Sequence, residues 1–186
     1  MAKTRIPPNA VTIFGFLLII VVAWVLSEGH FFIGGFLVLI VSCSDFIDGA
    51  MARAMGRATR FGALLDSSLD RYSEAVLLFG LLWFYAMEQA TTQVILIFAT
   101  VIGSLLVSYV RARAEGLGLD AEVGIMRRTS RIMTLSLGLI LSPIEPALLV
   151  ILWILAISTN LTALYRLFHV WRVSIKEPPQ PRDKLD

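Results

Sequence analysis

The sequence predicts an all-α integral membrane protein of six transmembrane helices with both termini in the cytoplasm. Two observations carry the fold class. The 186-residue chain is 57% hydrophobic and only 16% charged, with a mean hydropathy of +0.78, which is too apolar for a soluble domain of this size. Its apolar residues also gather into six stretches, most of them near the ~20 residues a helix needs to cross a bilayer core. A third observation, the confinement of Lys and Arg to one side of the resulting bundle, orients it.

The first stretch, Asn9 to Leu26, follows an opening that superficially resembles a secretory signal. No small-residue cleavage site follows and further apolar stretches do, so it is expected to remain as a span. "SEGH" leads into the second, Phe31 to Ala52, whose last third turns polar at Asp45 and Asp48. "RAMGRATR" precedes the third, Phe61 to Ala86, with Asp66, Asp70 and Glu74 in its first half. After "AMEQA" comes Thr92 to Arg111, then the long polar connection "RARAEGLGLDAEVGIMRR". The fifth, Thr129 to Leu141, is short unless it begins near Ile125, and "SPIEP" introduces the sixth, Pro146 to Phe168. Residues 1–175 are expected to form one membrane domain, and residues 176–186 a polar, flexible cytoplasmic tail.

With six spans, one face receives Lys3 and Arg5, the loop from Arg53 to Arg60, the loop from Arg111 to Arg131, and the tail from Arg172 to Lys184; Arg71 and Arg166 lie toward the same helix ends. All 16 Lys and Arg residues are then on that face, while the opposite loops carry only Glu28, His30, Glu88 and Glu145 as ionisable groups. The positive-inside rule assigns the basic face to the cytoplasm. The net charge of +2 is small and the arginines are dispersed, which argues against a nucleic-acid-binding arm. The single cysteine, Cys43, leaves no internal disulfide.

The acids on the second and third stretches need a reason to be there. Asp45 and Asp48 are three apart, and Asp66 and Asp70 four apart, so each pair lies on one helix face. Unneutralised, such a cluster is strongly unfavourable, because like charges repel and each is poorly solvated near lipid. Arg53, Arg57, Arg60 and Arg71 could neutralise it as internal salt bridges. Divalent Mg²⁺ or Mn²⁺ is the sharper reading, since both prefer carboxylate oxygens and paired ions commonly clamp a phosphoryl group undergoing displacement. His30 and His169 are isolated, so no soft zinc site is visible. Gly49, Ala52 and Gly62 keep the backbone beside the acids accessible to a ligand or to a packed helix.

The spacing Asp45-x2-Asp48-Gly49-x2-Ala52-Arg53-x8-Gly62-x3-Asp66-x3-Asp70 resembles, without departure, the signature of the CDP-alcohol phosphotransferases. That resemblance implies transfer of a phosphatidyl group, or its ether-lipid equivalent, from a CDP-linked lipid to the hydroxyl of a small polar alcohol, with release of CMP. It implies two divalent ions, Mg²⁺ or Mn²⁺, on Asp45, Asp48, Asp66 and Asp70, with Asp70 also deprotonating the acceptor hydroxyl. Asp48, Gly49, Ala52, Arg53 and Gly62 would line the CDP-lipid site, joined by Asn9 and Thr12 of "PPNAVT". A homodimer in the cell membrane, with its site facing the cytoplasm, is implied as well.

"LDSSLDRYSEA", "SYVRARAEGLG" and "VGIMRRTSR" look most like the branch that makes phosphatidylinositol phosphate, or its archaeal ether-lipid counterpart, from inositol phosphate. The resemblance makes Arg111, Arg113, Arg128 and Arg131 the acceptor-phosphate site. The chain departs from that branch's "ERxER" acids at Arg127 and Ser130, and only eight residues precede Asn9. Guanidinium groups near two helix ends suit a phosphate dianion physically, though topology and anionic headgroups would also use them. Glycerol 3-phosphate is the closest rival acceptor. Glu74 continues the acid face one turn deeper with Arg71 as its expected partner, Arg166 is expected to snorkel to the interface, and Trp171 to anchor there. A Mg²⁺ or proton transporter is the non-enzyme alternative; it would need polar residues through both membrane halves, and "FLLIIVVAWVL", "FFIGGFLVLI" and "VLLFGLLWFYA" carry almost none.

Overall fold

The computed structural model describes the backbone of residues 8–54 and 59–175 and the side chains of residues 9–42 and 59–175. Among the described residues the regular elements are six helices: α1 Pro8–Ser27, α2 Phe31–Ala54, α3 Arg60–Met87, α4 Thr91–Gly116, α5 Arg128–Ile140 and α6 Ala147–Ser174. Each falls on one of the apolar stretches. The differences lie at ends where charged residues outlast the hydrophobic run, for α4 continues through Arg111 and Arg113 and α6 continues past Phe168. Arg, Ala and Glu are all good helix formers, so "VRARAE" stays helical until Gly116 and Gly118, the latter in the left-handed region at φ 76°, where the helix is stopped. The connection to α5 thereby shrinks to residues 117–127. The tail expected over 176–186 lies outside the described residues.

The helices pack in a closed circuit. α1 lies against α2 and α3, α3 against α4, α4 against α6, α6 against α5, and α5 against α2. The ring order is therefore α1–α3–α4–α6–α5–α2, in which α3 and α5 stand opposite each other. Tight connections make α1–α2, α3–α4 and α5–α6 antiparallel hairpins, with all three tips at one end of the ring. That end is apolar inside: Leu26, Val38, Leu81, Ile97, Leu139 and Leu152 are fully buried there in one cluster. The other end, where α1, α3 and α5 begin and α2, α4 and α6 finish, receives the charged residues.

Large apolar side chains also cover the outside, among them Phe14, Trp24, Phe79, Phe98, Trp153 and Leu161. An apolar belt of this kind is unfavourable in water and at home in hydrocarbon. Three helices, α1, α4 and α6, are long and apolar enough to cross a membrane. The 28-residue α3 has the length but carries Asp66, Asp70, Arg71 and Glu74 in its first half, and the apolar part of α2 described here runs only Phe31–Ser42. The 13-residue α5 rises only ~20 Å, less than a ~30 Å hydrocarbon core.

Two seams of the ring depend on a missing side chain. A Cβ at Gly80 of α3 would collide with the carbonyl oxygen of Ala23 on α1, and one at Gly103 of α4 would collide with the Thr159 hydroxyl and lie 2.9 Å from the Asn160 backbone nitrogen on α6. Asn160 ties the second seam as well, its Nδ2 donating across it to Ala99 O on α4 at 2.9 Å and also to Ala156 O of its own helix at 2.8 Å. Gly80→Ala is expected to destabilise the protein by about 1–3 kcal/mol through overpacking. Gly116→Ala, where a Cβ meets nothing within 4 Å, should change stability by less than ~0.5 kcal/mol. Thermal unfolding in detergent compares the two, and equal melting temperatures would refute the close approach of α1 and α3.

Candidate active site

The polar end of the ring is built first by the start of α3. Thr59, with extended backbone at φ −100° and ψ 155°, accepts the Gly62 N–H on its Oγ1 at 2.9 Å. This satisfies one of the helix's orphan donors. It also sets the first turn against α1, since a Cβ at Gly62 would lie 3.1 Å from Asn9 Oδ1. The structure thus brings together Asn9 and Gly62, two candidate CDP-lipid residues from separate helices. Thr12, about one turn along α1 from Asn9, is half-buried. Asp45, Asp48, Gly49, Ala52 and Arg53 occupy the last turns of α2, and their side chains lie outside the described residues.

Asp66, Asp70 and Glu74 recur every four residues and form one stripe on α3. Along it burial deepens, from exposed Asp66 to half-buried Asp70 to Glu74 at 5% exposure. Arg128 and Arg131 of α5 meet this stripe. Arg128 Nη1 lies 2.8 Å from Asp70 Oδ1. Arg131 donates through Nε to Glu74 Oε1 and through Nη2 to Glu74 Oε2, both at 2.6 Å, and through Nη1 to Met126 O at 2.9 Å. Because α3 and α5 are opposite members of the ring, the two ion pairs run through its interior.

Several expectations for individual residues change here. Glu74 takes Arg131 as its partner, not Arg71, which donates to the Ser67 carbonyl of its own helix; Glu74 faces the ring interior, where the α5 guanidinium arrives. Arg131, expected to face an acceptor phosphate, is 3% exposed and commits donors from all three of its nitrogens to Glu74 and Met126. Arg166 does not snorkel. It is 2% exposed, donating from Nε to Val123 O of the 117–127 connection at 2.8 Å and from Nη1 to Val107 O of the neighbouring α4 at 2.7 Å.

The other acceptor candidates lie nearer the surface. Arg111 pairs with Glu115 at 2.7 Å and approaches Glu122 at 3.7 Å, and Glu122 is 3.7 Å from Arg127 as well. Arg113 is exposed in the last turn of α4. Of the four arginines singled out from the sequence, Arg128 and Arg131 are the ones brought to the acids of α3. The cap at Thr59, the burial of Arg166 and the Glu74–Arg131 bridge were not anticipated. No local spacing marks the bridge, which depends on the order in which the helices pack.

The donor chemistry suits a hard divalent cation. Asp66 and Asp70 offer carboxylate oxygens at the open level of the stripe, and Asp45 and Asp48 sit on α2 at the same end of the ring. Oxygen-only ligands favour Mg²⁺ or Mn²⁺ over zinc. Among the described residues alone, no group of three or more His, Cys, Asp or Glu converges. A cation there would draw on both helices.

Comparisons with known proteins agree on one family. The family model described as CDP-alcohol phosphatidyltransferase matches residues 5–163. A phosphatidylinositol phosphate synthase of Mycobacteroides abscessus is 38% identical over 179 residues, covering 94% of this chain and 81% of the relative. An archaetidylinositol phosphate synthase of Pyrococcus horikoshii is 31% identical, covering 90% of this chain and 85% of its own. The crystal structure of Mycobacterium tuberculosis phosphatidylinositol phosphate synthase with CDP-DAG bound superposes with a TM-score of 0.85 at 35% identity, covering 91% of this chain and 88% of that one. The same mycobacterial enzyme in complex with manganese and citrate gives the same score and identity, covering 84% of that chain.

Thr59→Ala removes the side-chain acceptor at the α3 cap and should lower stability by about 1 kcal/mol, whereas Thr59→Ser should preserve it. Chemical unfolding of the detergent-solubilised variants checks this, and two indistinguishable curves would show that the cap contributes nothing.

Proposed function

The chain belongs to the CDP-alcohol phosphatidyltransferase family, and on that premise we propose that it transfers the phosphatidyl group of CDP-diacylglycerol, or an ether-lipid equivalent, to a hydroxyl of inositol phosphate, releasing CMP. The observation that carries the acceptor is the 2.8 Å contact between Arg128 and Asp70. A phosphate held by the Arg128 guanidinium brings the rest of a small polyol beside the Asp70 carboxylate. The names of the mycobacterial and archaeal relatives support the same acceptor.

In the proposed reaction the acceptor oxygen attacks the lipid-bearing phosphorus of the CDP-lipid. The bond from that phosphorus to the oxygen it shares with the CMP phosphate breaks, CMP leaves with the electron pair, and the hydroxyl proton passes to Asp70. Asp45, Asp48, Asp66 and Asp70 would hold the two divalent ions, which when bound neutralise the pyrophosphate and polarise the attacked phosphorus. Asn9 and Gly62, adjacent across the α1–α3 seam, shape the nucleotide end together with Thr12, Gly49, Ala52 and Arg53. Arg111 and Arg113, toward the end of α4 at the polar end of the ring, would attract a phosphorylated acceptor from solution.

All six helices are proposed to span the cell membrane with both termini and the polar end of the ring in the cytoplasm, as the distribution of Lys and Arg supports. The apolar outer faces leave surface for the homodimer that the family resemblance implies. Such a site is reached by a soluble alcohol from the cytoplasm and by the anchored donor from the bilayer.

The test offers purified protein CDP-diacylglycerol and Mg²⁺ with inositol phosphate, glycerol 3-phosphate, serine or free inositol, and follows CMP. Inositol phosphate should give the fastest release; faster release with glycerol 3-phosphate would reassign the acceptor, and release with serine or free inositol alone would remove the role given to Arg128. Arg128→Gln should weaken use of the phosphorylated acceptor by roughly 1.5–3 kcal/mol, as for hydrogen bonds to charged groups, with CDP-lipid binding changed much less. Chelation of divalent metal should abolish turnover until Mg²⁺ or Mn²⁺ is restored, and Asp66→Asn should not be rescued by either ion, since a neutral amide cannot replace the anionic ligand. Full turnover by the metal-stripped protein would sink the metal assignment.

A further inference from the structure

Two charge pairs cross the ring, and they differ in burial. The side chains of Arg128 and Asp70 are 34% and 25% exposed, while those of Arg131 and Glu74, about one turn deeper, are 3% and 7% exposed. Glu74 is four residues beyond Asp70 on α3, and Arg131 three beyond Arg128 on α5, so each step is close to one helical turn. The closely packed helix pairs do not include α3 with α5. At the polar end these two helices meet through side chains, the two ion pairs among them.

Stability does not account for the deeper pair. Moving a carboxylate and a guanidinium out of water is unfavourable by several kcal/mol for each ion, and well-packed apolar side chains of similar volume do as well or better. A two-bonded guanidinium–carboxylate bridge instead fixes geometry, because parallel N–H···O bonds set both distance and orientation. Arg131 adds a third bond, to Met126 O at 2.9 Å, which ties the same guanidinium to the turn that opens α5. Rotating α5 by a single residue, about 100°, would carry Arg128 away from Asp70.

We propose that Glu74 and Arg131 are positioning residues, their buried bridge fixing the rotation and depth of α5 so that Arg128 meets Asp70. This inference rests on the phosphatidyl-transfer reading of Asp70 and Arg128 and deepens it. Neither residue touches substrate; both act through Arg128.

The decisive variant is the double substitution Glu74→Met with Arg131→Met, which removes both charges while keeping apolar bulk, so that folding is preserved. It should insert normally and melt no lower than the parent, yet lose about tenfold to a hundredfold in kcat, the scale of a small misplacement of reacting groups. Its KM for CDP-lipid should stay within about threefold, since uniform binding of the donor is untouched. Arg131→Lys, which keeps the charge without the planar fork, should retain more turnover than Arg131→Met and less than the parent. A second readout needs no turnover: spin labels at the exposed positions Phe79 and Leu137, in a Cys43→Ser background, report the α3–α5 separation. The parent should give one narrow distance distribution and the double Met variant a broader or displaced one. Parental kcat together with an unchanged distribution in the double variant would overturn the proposal. If the parent releases no CMP with any acceptor, the phosphatidyl-transfer reading falls instead, and the distance distribution alone decides whether the bridge fixes α5.

Discussion

Carboxylates on a helix inside an apolar ring must be met by positive charge, and the polar half of this molecule is arranged around that requirement. An isolated acid at such depth is unfavourable by several kcal/mol. Guanidinium groups answer it here from across the ring, where Arg131 closes on Glu74 and Arg128 on Asp70. The apolar half needs no such partners and is filled by leucine, isoleucine and valine from the hairpin-tip ends of all six helices. The boundary between the halves falls where the stripe on α3 ends, after Glu74, with Leu77, Leu78 and Leu81 buried beyond it.

The shortness of α5 follows from the same requirement. Asp70 lies ten residues beyond Arg60, ~15 Å down α3. An arginine at the start of a full-length opposing helix would remain at the surface, too high to reach it. With only 13 residues, α5 begins inside the ring, and its first residue, Arg128, arrives at the depth of Asp70. The preceding connection must then fold inward. Ala121 is fully buried, and the carbonyls of Val123 and Met126 turn to Arg166 and Arg131, so backbone that has left the surface keeps its hydrogen bonds. Gly124, at φ 100°, turns the connection where a Cβ would lie 2.6 Å from Thr162.

The element order and the type of every helix were legible because apolar runs of span length have few alternatives. Ends were less legible wherever charge and helicity overlap, as in "VRARAE", since an amphipathic extension carries no apolar signal. The acid stripe could be read from its four-residue spacing. Its partners could not: that Glu74 meets Arg131 depends on α3 and α5 being opposite in the ring, a fact of packing order that no local pattern holds. Arg166 misled for a related reason, since an arginine near a helix end normally reaches water, and here the inward fold of the 117–127 connection and the packing of α4 against α6 give it one carbonyl each. The aspartates on α2 are half of the metal set expected from the sequence, and their side chains lie outside the described residues.

The graded burial of the stripe assigns different work to each of its levels. A bidentate bridge that is nearly sealed from water cannot be opened by a passing anion without leaving a buried charge behind, which is strongly unfavourable. An ion pair whose side chains are a quarter to a third exposed is different, for water and a replacement ligand can reach both partners as it opens. On the proposed reading, a phosphate dianion would meet Arg128 more readily than Arg131, whose guanidinium is sealed against Glu74. The deep pair is in this sense frame and the shallow pair exchangeable, and exposed Asp66, which no ion pair engages among the described residues, is the level most open to a cation. On the proposed reading, a metal, an anionic acceptor and a carboxylate base would meet at the turn between Asp66 and Asp70, one step above the buried Glu74–Arg131 bridge.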